Sequence, residues 1–198
     1  TVIAKTSDQY FFADNTGILL VHGAPLEDVE VGSVYDIYGA YDIYFGSPQI
    51  NSYVDSTKPT VATLSDGAVT ELSPTVIDYI QSFTPKMAPA FGDDNIFVYE
   101  YLDITAKVLV QGDGSYDTVF VNADYDGSGI NTSANTPYSN DAFMIYYKSN
   151  KAAFDDLDGE IVRFKALLYG YRSDRTIFTI IFTGEAADIE TSADITAV

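Results

Sequence analysis

Few residue types in this chain can do chemistry. There is one histidine, His22, and no cysteine, which excludes disulfides, thiolate nucleophiles and cysteine-bearing zinc sites. A hydrolytic triad would have to recruit His22 as its base, and no glycine-flanked nucleophile elbow accompanies it, so His22 reads as a strand-end residue and the chain as non-catalytic. Carboxylates are plentiful. Asn122-Ala123-Asp124-Tyr125-Asp126-Gly127 places oxygen ligands at alternate positions before a glycine, as in the first half of a calcium loop. Asn122, Asp124 and Asp126 are therefore candidate calcium ligands, with Asp113 and Asp117 as neighbours in sequence. Ser133 stands where a bidentate Glu would complete that loop, so a polar Asx-rich turn is the competing reading. Asp93-Asp94 and Asp155-Asp156-Asp158 read as solvated turns. Two carboxylates facing one cleft would instead make a hydrolase, a function that spacing in sequence does not address.

The other chemically distinctive segment is Tyr169-Gly170-Tyr171-Arg172-Ser173-Asp174-Arg175. Six of the ten basic residues (Lys148, Lys151, Arg163, Lys165, Arg172 and Arg175) fall in this part of the chain. Rings interleaved with cations can hold an anion or a base, which makes Tyr169, Tyr171, Arg172 and Arg175 candidate ligand contacts. Ordinary surface ion pairs with Asp155, Asp156, Asp158 and Asp174 are the plainer alternative. Against them stands a net charge of -19 and a pI near 4.1. That field repels phosphate backbones and anionic membranes, and disfavours a general nucleic-acid binder.

The elements that must position these residues are strands. Of 198 residues, 16 are Tyr and 12 are Phe, and with abundant Val, Ile and Thr they suit pleated, half-buried surfaces. The first strand series is Thr1 to Lys5, Gln9 to Asp14, Ile18 to His22, a long run from Val34 to Phe45 bent at Gly39, and Gln49 to Val54. Residues 56–95 carry Pro59, Pro74, Pro85 and Pro89 without sustained alternation and read as a connector. Within it, Ser73-Pro74 resembles a helix start, and Val76, Ile77, Ile80 and Phe83 would share one helical face, predicting one short helix. A second strand series follows: Ile96 to Val110, Tyr116 to Ala123, Ala142 to Lys148, Glu160 to Tyr171 and Thr176 to Thr183. Asn150 to Leu157, between its third and fourth strands, is suited to a helical turn. No apolar run approaches the ~20 residues needed to cross a bilayer as a helix, so no membrane insertion is expected.

The two series match each other. Gly32, Val34, Ile37, Ala40, Tyr44 and Ile50 pair without gaps with Gly159, Ile161, Phe164, Leu167, Tyr171 and Ile177, each pair 127 residues apart. Upstream, Ile3-Ala4-Lys5 is similar to Thr105-Ala106-Lys107, and Ala13-Asp14 to Ala123-Asp124. These matches divide the chain into a first barrel over 1–55, a connector over 56–95, a second barrel over 96–190 and a tail over 191–198.

Gln9 to Ile18, then Val31-Gly32-Ser33-Val34-Tyr35-Asp36-Ile37-Tyr38-Gly39, then Gly46-Ser47-Pro48-Gln49-Ile50, resemble secreted bacterial OB-fold domains. Such domains accompany extracellular nucleases and occur in Bacteroidetes-type surface lipoproteins. The resemblance covers Thr1 to Val54 well and Leu102 to Ile189 loosely. It implies two five-stranded OB-like Greek-key barrels in tandem, all-β apart from the connector helix. An OB barrel binds along its second and third strands and the loops joining strands 1–2 and 4–5. That adds Phe11, Tyr38, Tyr44 and Tyr146 to the candidate ligand residues, stacking being how such folds hold single strands, with packing against the other barrel or the connector as the plainer reading of these rings. The implied function is a non-catalytic accessory or interaction module of a larger secreted or surface-anchored protein, its leader or anchor removed. A protein or surface component would be its partner. Single-stranded nucleic acid or oligosaccharide binding on the barrel faces is the alternative.

Overall fold

The computed structural model describes residues 1–23, 26, 28–44, 47–51, 55, 57–78, 99–111, 118–122, 142–172 and 177–192. They are mostly strand, with 3₁₀ turns at Lys151–Phe154 and Ala186–Asp188. The chain forms two compact units: Thr1–Ser73 with Pro85–Tyr99, and Pro74–Thr84 with Glu100–Val198.

In the first unit, β1 (Val2–Lys5), β2 (Gln9–Asp14) and β3 (Gly17–His22) form an antiparallel meander. The turn between β2 and β3 is tied by Asp14, whose carboxylate accepts from the Thr16 amide and hydroxyl and from the Gly17 amide. β4 (Tyr35–Tyr38) and β5 (Tyr41–Tyr44) follow, then β6 (Ser47–Asn51), which lies parallel to β3 and antiparallel to β5. The sheet order is β1-β2-β3-β6-β5. The expected long bent strand from Val34 to Phe45 is thus two strands in different sheets, because β4 pairs with β7 (Val61–Leu64). The break falls at Gly39-Ala40, where a side chain on Gly39 would drive into Ile50 Cγ2 and crowd Thr60. Val2, Tyr10, Phe12, Val21, Leu26 and Val29 make the core, with Tyr35 and Ile37 only partly covered against it.

The second unit begins with β8 (Thr75–Asp78), parallel to β9 (Tyr101–Gln111). The connector helix expected from Ser73-Pro74 is therefore corrected to a strand over Thr75–Asp78. Thr75, Val76 and Ile77 are β-branched and find an open strand edge to pair with, which outweighs a favourable N-cap; residues 79–98 lie outside the described set. β10 (Thr118–Asn122), β11 (Ala142–Ile145), β12 (Ile161–Arg172) and β13 (Ile177–Ile181) complete a cycle. β9 pairs with β10, β10 with β11, β11 in parallel with β13, β13 with β12, and β12 back with β9. This is a closed five-stranded barrel. Closure relies on two long strands that change neighbour along their length. β9 has β8 beside Leu102–Thr105 and β10 beside Lys107–Gln111. β12 has β14 (Glu190–Thr191) beside Val162 and Arg163, then β13 beside Leu167–Arg172. Phe154, from the 3₁₀ turn between β11 and β12, meets Phe164 and Phe182 edge-to-face at 5.1 Å each. All three are fully buried.

The internal repeat is visible in the backbone and is shifted from the sequence match at both ends. In one unit the Gly32 amide donates to Val2 O, and the Val2 amide to Ser33 O; in the other, Gly159 donates to Val108 O and Val108 to Glu160 O. Gly32 and Gly159 both hold a positive φ, 89° and 82°, at the third position of equivalent i to i+3 turns, Glu30–Ser33 and Leu157–Glu160. Val2 therefore corresponds to Val108 and, past the bulge at Ile3, Ala4-Lys5 to Leu109-Val110, rather than Ile3-Ala4-Lys5 to Thr105-Ala106-Lys107. At the other end Tyr41 pairs with Ile50 and Leu168 with Ile180. Ile50 thus corresponds to Ile180, not Ile177, because the second hairpin is three residues longer. β7 and β14 belong to the repeat as well: Leu64 pairs with Tyr35 as Thr191 pairs with Val162, and both correspondences keep the 127-residue spacing.

Candidate functional site

The strongest cluster of candidate residues lies where β11 ends. The parallel ladder with β13 continues one residue further, the Tyr146 amide donating to Ile180 O at 2.8 Å, and a tight turn then returns the Ser149 amide to Tyr146 O. That turn is fastened to the segment after β13. Ser149 Oγ accepts from the Phe182 amide, while Asn150 Nδ2 donates to Gly184 O and to the Glu185 carboxylate. A rigid platform results, carrying Tyr146, Tyr147 and Lys148.

Tyr169 is brought to it by a β-bulge. Leu168 pairs with Ile180 and Gly170 with Thr179, leaving Tyr169 as the extra residue on β12. Thr179 Oγ1 donates to Gly170 O at 3.0 Å and holds the bulge. The Tyr146 and Tyr169 rings lie 4.3 Å apart between centroids, and the Tyr169 hydroxyl donates to that of Tyr146 at 3.5 Å. Tyr147 stacks obliquely on Tyr146 at 4.5 Å, and Lys148 Nζ sits 5.6 Å from the Tyr147 ring centroid. Burial, aided by hydrogen bonds with Tyr147 and Tyr169, pushes the Tyr146 phenol far above its ordinary value. Tyr146 therefore stays a neutral phenol. Tyr147 is 63% exposed. The arrangement is a wall of two ordered rings with a third, cation-capped ring presented outward.

The other candidates separate. Phe11 is fully buried and meets Tyr99 edge-to-face at 5.9 Å, so it supplies core and is corrected from ligand contact to packing residue. β2 is buried from Gln9 to Ala13; its alternation with β3 does not mark a solvent face, because the unit covers both sides. Tyr38 is exposed on β4, in the first unit. The backbones of Tyr44, Tyr171, Arg172 and Asn122 lie in β5, β12 and β10, and their side chains lie outside the described set, as do Arg175, Asp124 and Asp126 entirely. Among the described residues no group of three or more His, Asp or Glu is arranged to hold a metal. Arg163, counted in the basic stretch, makes a bidentate pair with Asp103, both bonds 2.9 Å. His22 Nε2 lies 3.7 Å from the Asp8 carboxylate beside the β2–β3 ladder. Of these four residues the sequence reading names Tyr146 and Tyr169 as candidates and counts Lys148 in the basic stretch, but does not single out Tyr147, although adjacent aromatic residues after a strand, followed by a lysine, were the available signal.

No helix of the described residues is long and apolar enough to cross a membrane. No protein-family model matches the sequence, and no curated protein matches it significantly.

Proposed function

We propose that the chain is a non-catalytic binding module whose second unit is an OB-type barrel, and that Tyr147, backed by Tyr146 and Tyr169, is its stacking platform. The strand order β9-β10-β11-β13-β12 with closure onto β9, and a helical turn between the third and fourth strands, support the barrel type. The observation that carries the function is the ordered tyrosine triad with its outermost ring exposed. Holding two rings fixed behind an exposed third lowers the ordering cost of stacking a planar or ring-shaped ligand. The net charge of -19 favours a neutral ring, as in an oligosaccharide, over a phosphate backbone. An accessory place in a larger secreted or surface-anchored protein fits the acidic, tyrosine-rich composition and remains part of the proposal.

With no tryptophan and 16 tyrosines in the chain, emission sums over all tyrosines, and the site is read from the difference between the parent chain and Tyr147→Ala. Titration with neutral oligosaccharides is expected to change emission saturably, and Tyr147→Ala is expected to weaken binding by about 1–3 kcal/mol per stacked ring. Turnover of a titrated oligosaccharide, or binding indifferent to Tyr147→Ala, overturns the reading. Single-stranded nucleic acid is a second reading, favoured by Lys148 at the Tyr147 ring. It requires affinity for oligonucleotides that falls steeply with salt and with Lys148→Ala.

A further inference from the structure

Tyr147 and Lys148 are the two central residues of one turn, closed by the Ser149 amide on Tyr146 O. Ser149 and Asn150 fasten that turn to the segment after β13, so the ring and the root of the lysine stem are held by one fixed backbone. Lys148 Nζ lies 5.6 Å from the Tyr147 centroid, within the range of a cation–π contact. Tyr146 packs against the same ring, tilted by 57° at 4.5 Å. A ligand ring laid on Tyr147 therefore shares it with Lys148.

That neighbour decides the chemistry of the ligand. A neutral ring over Tyr147 displaces an exposed cation–π contact, worth about two- to five-fold in affinity, and gives the ammonium nothing in exchange. A ring with a carboxylate bonded directly to it replaces the contact by a charge-assisted hydrogen bond from Nζ. In a nucleotide the sugar stands between base and phosphate, so a stacked base leaves its charge farther from Nζ. The acidity of the whole chain acts differently on one charge and on many. At physiological ionic strength it is screened over about 8 Å, so a single carboxylate at Lys148 meets mainly the local cation. A polymer charged at every unit extends over the surface of a chain of net charge -19 and is repelled. The Glu185 carboxylate, at the foot of the same turn, is engaged by Asn150 Nδ2 at 3.2 Å.

We infer that the Tyr147–Lys148 turn selects a uronic acid residue, a sugar ring carrying its carboxylate directly, within an otherwise neutral oligosaccharide. The inference rests on the reading of Tyr147 as a stacking platform and adds the charge of the ring that stacks there. The preference belongs to the second unit. Because Ile50 corresponds to Ile180, Tyr146 corresponds to His22, and Gly23 stands in the place of Tyr147.

The probes are two trisaccharides that differ at one position, the first ending in glucuronic acid and the second in the methyl ester of that acid, each titrated into the intact chain by calorimetry. The acid is expected to bind about five-fold more tightly than the ester at low salt, and the gap to narrow as salt rises. Lys148→Met keeps an apolar stem without the charge and is expected to abolish the difference, whereas Lys148→Arg is expected to retain it. Tyr147→Ala is expected to weaken both probes. Equal affinity for acid and ester, both lowered by Tyr147→Ala, overturns the inference and leaves the platform standing. A preference for the acid that survives Lys148→Met overturns it as well. Failure of both probes to bind, or binding indifferent to Tyr147→Ala, overturns the platform reading and the inference with it. Tighter binding of a single-stranded oligonucleotide than of the acid assigns the cation to phosphate and overturns the uronic acid reading.

Discussion

The two units use one connectivity and reach different ends. Both run a meander, then a hairpin whose second strand lies parallel to the meander's third member. Among the described residues the second closes, whereas the first shows a five-stranded sheet and a separate two-stranded pair, β4–β7. The difference lies in strand length and continuity. β9 and β12 are 11 and 12 residues long and each pairs with three other strands. The counterpart of β12 is broken into β4 and β5. A small barrel needs strands long enough to tilt and to change partner along their length, which β12 supplies and the β4–β5 break interrupts.

The comparison can be broken most severely at the second unit's aromatic centre. Phe154→Ala removes the ring that touches both Phe164 and Phe182 and is expected to cost about 3–5 kcal/mol. Hydrogen exchange should show the loss in β9–β13 amides while β2 and β3 keep their protection; equal loss in both units would mean that they do not unfold separately. Next in size is the Asp103–Arg163 pair. Arg163→Met leaves a nearly buried carboxylate without its donors, and about 1–3 kcal/mol is expected in urea denaturation. The double variant with Asp103→Asn should recover part of it.

Gly39 and Ala166 occupy equivalent positions and sharpen the contrast between broken and continuous strand. Gly39→Ala is expected to destabilise by about 1–3 kcal/mol through overpacking on Ile50 and Thr60. Ala166→Gly, in the middle of β12, should cost only about 0.5–1 kcal/mol. Calorimetry that ranks these two in the opposite order would remove close packing as the cause of the break. The smallest effect belongs to the β2–β3 turn. The Thr16 hydroxyl, then the Thr16 amide, hold the Asp14 carboxyl below its ordinary value. Its contribution is therefore present above the unfolded carboxylate value near pH 4 and is lost as pH falls through the lowered folded one. Asp14→Asn should flatten that acid-side slope and cost less than ~1 kcal/mol at neutral pH, since the group is exposed.

Tyr146 gives a separate check of the site. Because its phenol is pushed well above the usual range, ultraviolet titration of the native protein to about pH 11 should count the same number of ionising tyrosines in Tyr146→Phe as in the parent chain. One fewer would show the phenol to be solvated.

Most strands were legible because a strand is written locally. Gln9–Asp14, Gly17–His22 and Ile161–Arg172 lie within a few residues of where alternation, β-branching and flanking turns place them. So was the repeat, through Gly32 and Gly159, whose positive φ requires glycine at the same point of each unit. The site was legible only in part. Tyr146 and Tyr169 are 23 residues apart and meet because a bulge adds one residue to β12; a bulge leaves no periodic trace in sequence. Phe11 misled because alternation says which side chains share a face but not whether that face meets water.

What the sequence determined alone was the class of element, the position of the glycine turns, the strongly acidic field and the absence of thiol chemistry, each a property of single residues or short windows. Tertiary structure decided three matters: that Thr75–Asp78 is a strand, that the second unit closes into a barrel, and that three tyrosines form one surface. All three depend on which edge is free to pair. That is settled between segments distant in sequence, by hydrogen bonds that no local pattern encodes.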